Sequence, residues 1–327
     1  MRYDFLAIGD TVTDAFIKIK DASITCDDHG EKCKICMRFA DKISYEDVYI
    51  VPAVGNSANA AVSAARLGLA TALVTNLGDD YFGTECLNNL EEEKISREFI
   101  TVHKNAKTNY HYVLWYEDDR TILVKHEKYD YQLPDINSPQ WIYLSSLGAD
   151  SVVFQENLSQ YLDKHRDIKL VFQPGTFQMK SQELLANFCQ KTEIFFCNKE
   201  EAQRILKTTE SDIKKLLALV KKMGPQIVVI TDGKKGAYAH EDNNFWFMPP
   251  YPDPKPPLER TGAGDAFSST FTVAMALGKT IEQALTWAPI NSMSVVQYIG
   301  SQEGLLTAEQ IEKFLEMAPE SYRPQKI

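Results

Sequence analysis

Short apolar runs of strand length alternate with longer stretches of helical period along most of this chain, and that alternation restricts the fold more than any other feature. FLAIG (5–9) precedes the small-residue stretch SANAAVSAARLG (57–68), which leads to TALVTNLG (71–78). WIYLSSLG (141–148), KLVFQPG (169–175), EIFFCN (193–198) and QIVVITDG (226–233) continue the series. Runs this continuously apolar do not suit strands with one wet face. They predict an α/β fold: a mostly parallel sheet with helices on both faces. Ligands of such sheets sit beyond the C-terminal strand ends, and Gly, Asn and Pro collect at those ends here.

Two segments break the rhythm, at about 17–52 and 104–126. The first holds the strand-like YEDVYIVPA and no long helical period. The second, TNYHYVLWYEDDRTILVKH (108–126), reads as a β-hairpin turning at EDDR. Together they predict a small β lid within one domain spanning 1–327, placed to exclude water from a ligand. A third oddity is MPPYPDPKPPLE, which packs six prolines between Pro249 and Pro257. It reads as a stiff extended connector, with a docking site for a proline-reading domain as the alternative.

The charge balance is 35 Lys+Arg against 45 Asp+Glu, a net of −10. That argues against a nucleic-acid or anionic-membrane partner, which would require a basic footprint. The first strand region, MRYDFLAIGDTVTDAF, carries acids inside its apolar stretch, unlike a signal peptide. No apolar run is long enough to span a bilayer, and a cytoplasmic protein is expected. Six cysteines in 327 residues do not suggest a disulfide scaffold.

The strongest chemical signal is Thr261-Gly262-Ala263-Gly264-Asp265. It runs into a stretch with Phe267, Phe271, Ala274 and Leu277 at helical spacing. Small residues at a helix start expose backbone N–H groups at the positive end of the dipole, where an oxyanion binds. Asp265 stands beside such an anion, where it could take a proton from an attacking hydroxyl. The competing account is a turn with Asp265 as helix cap.

Context adds to this. GDTVTD (9–14), GNSANAAVSAARLG (55–68), NLGDDYFG (76–83), NKEE (198–201), TDGKKGA (231–237), TGAGDAF (261–267) and the helix around Asn291 occur in order from about Gly9 to Gly300. In these the chain resembles the ribokinase-like (PfkB-type) carbohydrate kinases. The resemblance implies transfer of the ATP γ-phosphoryl group to a hydroxyl, usually CH2OH, of a sugar. It makes Asp265 the general base and Gly262, Ala263 and Gly264 the anion hole. It puts Asp14, Gly55 and Asn59 on the sugar hydroxyls, and Thr231 and Gly233 on the nucleotide phosphates beside Gly264. Asn291 falls near the adenine. Asn198 and Glu201 would organise Mg2+ through water, and equally read as the capping box of a helix.

The chain departs from the family pattern at Val54-Gly55, Glu259-Arg260 and Gln173-Pro174-Gly175-Thr176. The first and third touch substrate selection. The second puts monovalent-cation activation in question and offers Arg260 as charge near the phosphates. Cys26, His29, Cys33 and Cys36 are a zinc-ligand set by residue type, but only three residues separate His29 from Cys33, so unligated thiols are the expected state. Cys86, Cys189 and Cys197 read as core. The lid aromatics Phe39, Tyr45, Tyr49, Tyr110, Tyr112, Trp115 and Tyr116 could stack on a nucleobase, line the lid's underside or meet a second lid in a homodimer. Lys32, Lys34, Arg38 and Arg120 read as a solvated face, or as partners of a phosphate on a sugar phosphate. A nucleoside kinase, a non-catalytic sugar or nucleotide sensor and a zinc-stabilised interaction module are the competing functions.

Overall fold

A computed structural model describes residues 2–27, 33–117 and 119–327. Its centre is a ten-stranded sheet. From one edge the strands run Gln325–Lys326, Asn244–Met248, Ala237–Glu241, Ile227–Thr231, Thr192–Asn198, Lys169–Phe172, Trp141–Leu144, Phe5–Ile8, Thr71–Gly78 and Ile100–His103. The seven from Ile227–Thr231 to Ile100–His103 are parallel, and the remaining edge is antiparallel. The apolar runs became the buried strands because both of their faces are covered.

Side-chain alternation divides the core in two. Phe5, Ala7, Leu73, Tyr143, Val171, Phe196 and Val229 face one layer of helices. Leu6, Ile8, Val74, Leu144, Phe172, Phe195 and Val228 face the other. On the first face the helix Asn56–Arg66 lies against the helix Ala263–Ala276. Ala58, Ala60, Ala61 and Ala64 are fully buried there, and their small side chains let the two backbones approach. Phe267, Phe271 and Ala274 fill the same core, while Leu277 ends the helix exposed.

A separate four-stranded sheet orders Tyr45–Val54, Val12–Ile19, Asn109–Tyr116 and Asp119–Leu123. Its last two strands form the expected hairpin, pairing Trp115 with Arg120. The sheet begins at Val12 rather than near residue 17, because the first core strand stops at Ile8 and the chain turns at Gly9. Asp14 therefore belongs to the small sheet and does not end the first core strand. Outside it, Ser23–Thr25 and Lys34–Cys36 make a short hairpin.

Cys26 and Cys33 are joined by a disulfide. This corrects the expectation of unligated thiols and removes two thiolates from the proposed zinc set. His29, like Lys32, lies outside the described residues, and Cys36 is an exposed thiol. No cluster of three metal-ligating side chains occurs among the described residues. Cys86, Cys189 and Cys197 are buried as expected, and burial pushes their thiols up, that of Cys189 to about 12. Among the described residues no helix is long and apolar enough to cross a membrane.

Candidate active site

The C-terminal ends of the parallel strands open into a cavity of about 920 Å3, walled on one side by the main sheet and on the other by the small one. At its floor the helix Ala263–Ala276 begins, and Asp265 sits in the first turn, 8% exposed. Three side-chain amides converge on its carboxylate. Asn56 Nδ2 donates to Oδ1 at 2.7 Å, Gln173 Nε2 to Oδ1 at 3.1 Å and Asn59 Nδ2 to Oδ2 at 2.8 Å. Burial raises the Asp265 pKa above the ordinary carboxylate value, and the three amides, with the charge of Arg120, act against that rise.

The turn before this helix is built for close approach. Gly262 caps it at φ +80°, and a Cβ there would meet the Ser301 Cβ at 2.3 Å. Glu259, almost fully buried, ties the turn down: Thr261 N donates to Oε2 at 2.5 Å and Gly300 N to Oε1 at 3.1 Å. Glu259 thus braces the loop through backbone donors. The N–H groups of Gly264 and Asp265 find no backbone acceptor among the described residues, and Ala263 N reaches Arg260 O only at 3.5 Å. A Cβ on Gly264 would touch nothing within 4 Å, so its face is open to the cavity. Unpaired donors at an open helix start constitute an oxyanion site.

The acceptor side is richer than the sequence suggested. Asp14, Gly55 and Asn59 all line the cavity. The carbonyl oxygen of Asn59, however, is filled: besides the bond from Nδ2 to Asp265, its Oδ1 accepts from Ser301 Oγ at 2.7 Å and Gln302 Nε2 at 3.0 Å. Asp10 is the acid that follows the first core strand. Tyr131 OH donates to its Oδ1 and Gly148 N to its Oδ2, each at 2.8 Å, and His126 Nδ1 lies 3.3 Å from Oδ2. That hydrogen bond to Asp10 is the main reason the His126 pKa lies above the ordinary imidazole value.

From the small sheet, Asp14, His111 and Arg120 alternate toward the cavity with Val12 and Ile122. His111 Nδ1 is 3.5 Å from Asp14 Oδ1, too long for a well-formed bond, and Asp14 Oδ1, His111 Nε2 and Arg120 Nε are buried without partners. Tyr110, Tyr112 and Tyr116 occupy the other parity, while Trp115 shares the face of His111 and Arg120 farther along the strand. Tyr110 packs on Phe82 and Tyr112, Trp115 on Tyr49, and none of the seven lid aromatics lines the cavity. Arg38 is a solvent-exposed partner of Asp41, as a surface reading expects. Arg120 is not, and strand parity was the signal that could have found it.

A second cavity of about 380 Å3 adjoins the first, and Thr231, Arg260, Gly264 and Phe267 line both. Gly233 and the irregular proline segment, from Pro249 to Pro257, wall it opposite Pro289, Ser292 and Met293. Asn198 and Glu201 close the large cavity near Thr231 and cap each other: Glu201 N donates to Asn198 Oδ1, and Asn198 N to Glu201 Oε2, both at 2.8 Å. Burial raises the Glu201 pKa. Asn291 differs from expectation. It is fully buried inside the helix Ile281–Val295, its Nδ2 donating to Thr270 Oγ1 at 2.8 Å and its Oδ1 accepting from Leu306 N at 2.9 Å. Its amide is consumed within the core, and its neighbours Ser292 and Met293 form the wall instead.

A parallel α/β sheet with unpaired N–H groups at a helix start, a buried carboxylate and two adjoining cavities at its strand ends is an arrangement that can bind an anion beside a proton acceptor. The profile of the pfkB family of carbohydrate kinases matches residues 36–308. The chain is 30% identical over 271 residues to the ribokinase of Bacillus subtilis, covering 80% of this chain and 87% of that one. A nucleoside kinase of Methanothermobacter thermautotrophicus is 26% identical over 266 residues, covering 80% and 84%. Arabidopsis thaliana ribokinase, solved with ribose and ATP, shares the fold at a TM-score of 0.80 and 20% identity, covering 97% and 99%. The chain belongs to the pfkB family of carbohydrate kinases, as a ribokinase-type sugar or nucleoside kinase that phosphorylates an alcohol group.

Proposed function

We propose that the protein transfers the γ-phosphoryl group of ATP to a hydroxyl, most simply a CH2OH group, of a sugar. The observation that carries this reading is Asp265, a buried carboxylate at the first turn of an open oxyanion helix, in the cavity that receives the acceptor. ATP lies across the second cavity, with its base toward Ser292 and Met293 and its phosphates toward Thr231, Gly233 and Gly264. The N–H groups at Gly262, Ala263 and Gly264 receive charge developing on the phosphoryl oxygens. Asp265 orients the acceptor hydroxyl and takes its proton. Asp14, Gly55 and Asn56 face the acceptor, and Asn59 acts on it through Asp265.

Asn198 and Glu201 suit Mg2+ as a water-mediated pair. Glu201 spends only Oε2 on its helix cap, leaving a carboxylate oxygen toward the cavity, and no all-protein cage competes for the ion among the described residues. When bound, Mg2+ neutralises phosphate charge. The small sheet acts as the lid, and its exposed Tyr45, Ile50 and Tyr112 suit a lid-to-lid homodimer. A sugar is favoured over a nucleoside because the cavity wall offers Asp10, Asp14, His111 and His126 while none of the lid aromatics lines it. The deciding experiment is ADP release with Mg-ATP across pentoses, hexoses, sugar phosphates and nucleosides. Turnover on one sugar class is expected. Preference for nucleosides overturns the acceptor assignment, and silence across the panel with ATP bound overturns the kinase reading in favour of a sensor.

A further inference from the structure

The three amides on Asp265 are not equivalent. Asn56 has no hydrogen bond besides the one it gives Asp265, among the described residues. Asn59 is held from behind by Ser301 and Gln302. Gln173 is held from behind by two hydroxyls. Tyr143 OH donates to Gln173 Oε1, Ser268 Oγ reaches the same oxygen at 3.1 Å, and the two hydroxyls lie 2.6 Å apart. The ionised carboxylate can only accept, so the NH2 end of the amide faces Asp265. The hydroxyls, which can donate or accept, turn a proton to the carbonyl oxygen and hold the amide in that orientation.

The depth of this network matters as well. Tyr143 is fully buried at the centre of the sheet, and burial keeps its phenol in the donating form throughout the working pH range. Ser268, one turn beyond Gly264 in the same helix, lies 2.9 Å from Gly264 O as well as 3.1 Å from Gln173 Oε1, and its single proton serves one of the two at a time. One hydroxyl pair thus ties the sheet, Gln173 and the oxyanion turn together. A neutral amide stabilises the carboxylate form without the permanent pairing an arginine would impose, so the base keeps its affinity for a proton.

We propose that Gln173 is a positioning residue for phosphoryl transfer: its amide, oriented by Tyr143 and Ser268, keeps Asp265 ionised and aimed at the acceptor hydroxyl. Asn56, free at its far end, is the donor that turns to the incoming acceptor. The inference rests on Asp265 being the base.

The test separates the two claims by using a readout that needs no turnover. The Asp265 carboxyl carbon is titrated by NMR in the unliganded protein, its resonance identified by its loss in Asp265→Asn. Arg120, Tyr143 and Glu201 are coupled electrostatically to Asp265, and Asp10, Asp14, His111, His126, Lys128, Asp150, Lys180 and Arg260 are further ionisable groups that line the cavity. Gln173→Met keeps the side-chain length and removes the donor, so Asp265 is expected to titrate at higher pH than in the wild type. Tyr143→Phe is expected to move it in the same direction by less. In kinetics with the best acceptor of the panel, Gln173→Met lowers kcat roughly ten- to a hundredfold with acceptor KM nearly unchanged. Asn56→Ala shows the reverse, a raised acceptor KM with the smaller change in kcat. An Asp265 titration unmoved by Gln173→Met overturns the proposal, as does a kcat loss matched by collapse of the melting transition in both Gln173→Met and Tyr143→Phe. If Asp265→Asn itself turns over normally, the base assignment fails instead, whatever Gln173 does to the titration.

Discussion

The surroundings of Asp265 and the cavity face of the small sheet satisfy their polar groups in different ways. Around Asp265, on the main body, the carboxylate is met by three protein donors, two of them braced from behind. On the small sheet, Asp14 Oδ1, His111 Nε2 and Arg120 Nε are buried with no partner, while Tyr45, Ile50 and Tyr112 stand exposed. Leaving a buried polar atom unmet costs on the order of 1–3 kcal/mol, so a ligand that met these three would gain by it. On the function proposed above, the surroundings of Asp265 are prepared before a ligand arrives and the cavity face of the small sheet is what the ligand meets.

The sharpest way to break that contrast is to remove the prepared group. Asp265→Asn is expected to lower kcat by about 10^2- to 10^4-fold while circular dichroism shows the fold retained. Near-normal turnover would remove Asp265 as the base. The glycine turn follows. Gly262→Ala forces a methyl into Ser301 at positive φ, so a loss of about 1–3 kcal/mol by denaturant melts is expected along with activity. Gly264→Ala meets open space and is expected to hold stability within about 1 kcal/mol while still losing turnover. Equal destabilisation of both variants would sink the reading of Gly264 as a cavity-facing donor.

Arg120 tests the other side of the comparison. Arg120→Met removes a largely buried guanidinium whose nearest acid, Asp119, is 3.6 Å away and exposed. Turnover is expected to fall about tenfold or more, because the charge that favours ionised Asp265 and Glu259 is lost. A lowered melting temperature with unchanged turnover would make Arg120 structural.

The smallest effect concerns His126. Its raised pKa means that Asp10 stabilises the folded state fully below the ordinary imidazole value of 6.5 and loses that contribution as pH rises through the raised value. The melting difference between wild type and His126→Gln is therefore expected to narrow above that window. A constant difference across pH would leave the His126–Asp10 contact without energetic weight.

Much of the site was legible because it is local. A run of small residues at a helix start announces unpaired N–H groups, and Asp265 follows within the same turn. The capping pair Asn198 and Glu201 is equally local, and the structure shows both bonds. What escaped depends on distance along the chain. Asn56, Asn59 and Gln173 reach Asp265 from 209, 206 and 92 residues away. Asp10 was passed over for Asp14 because the strand boundary between them hangs on one turn at Gly9. Asn291 was misplaced for a different reason: periodicity cannot say whether a buried amide faces a cavity or a neighbouring hydroxyl.

By itself, then, the sequence determined the parallel sheet, its small β appendage, the oxyanion turn and the carboxylate beside it, since each follows from patterns within a few residues. Tertiary structure alone decided which face of the small sheet meets the cavity. One step of register exchanges His111 for Tyr110 or Tyr112, and only pairing to neighbouring strands fixes that step. It also decided that two cysteines join and that Gln173 turns its amide toward Asp265. Those outcomes depend on what stands on the far side of each group, and the far side comes from elsewhere in the chain.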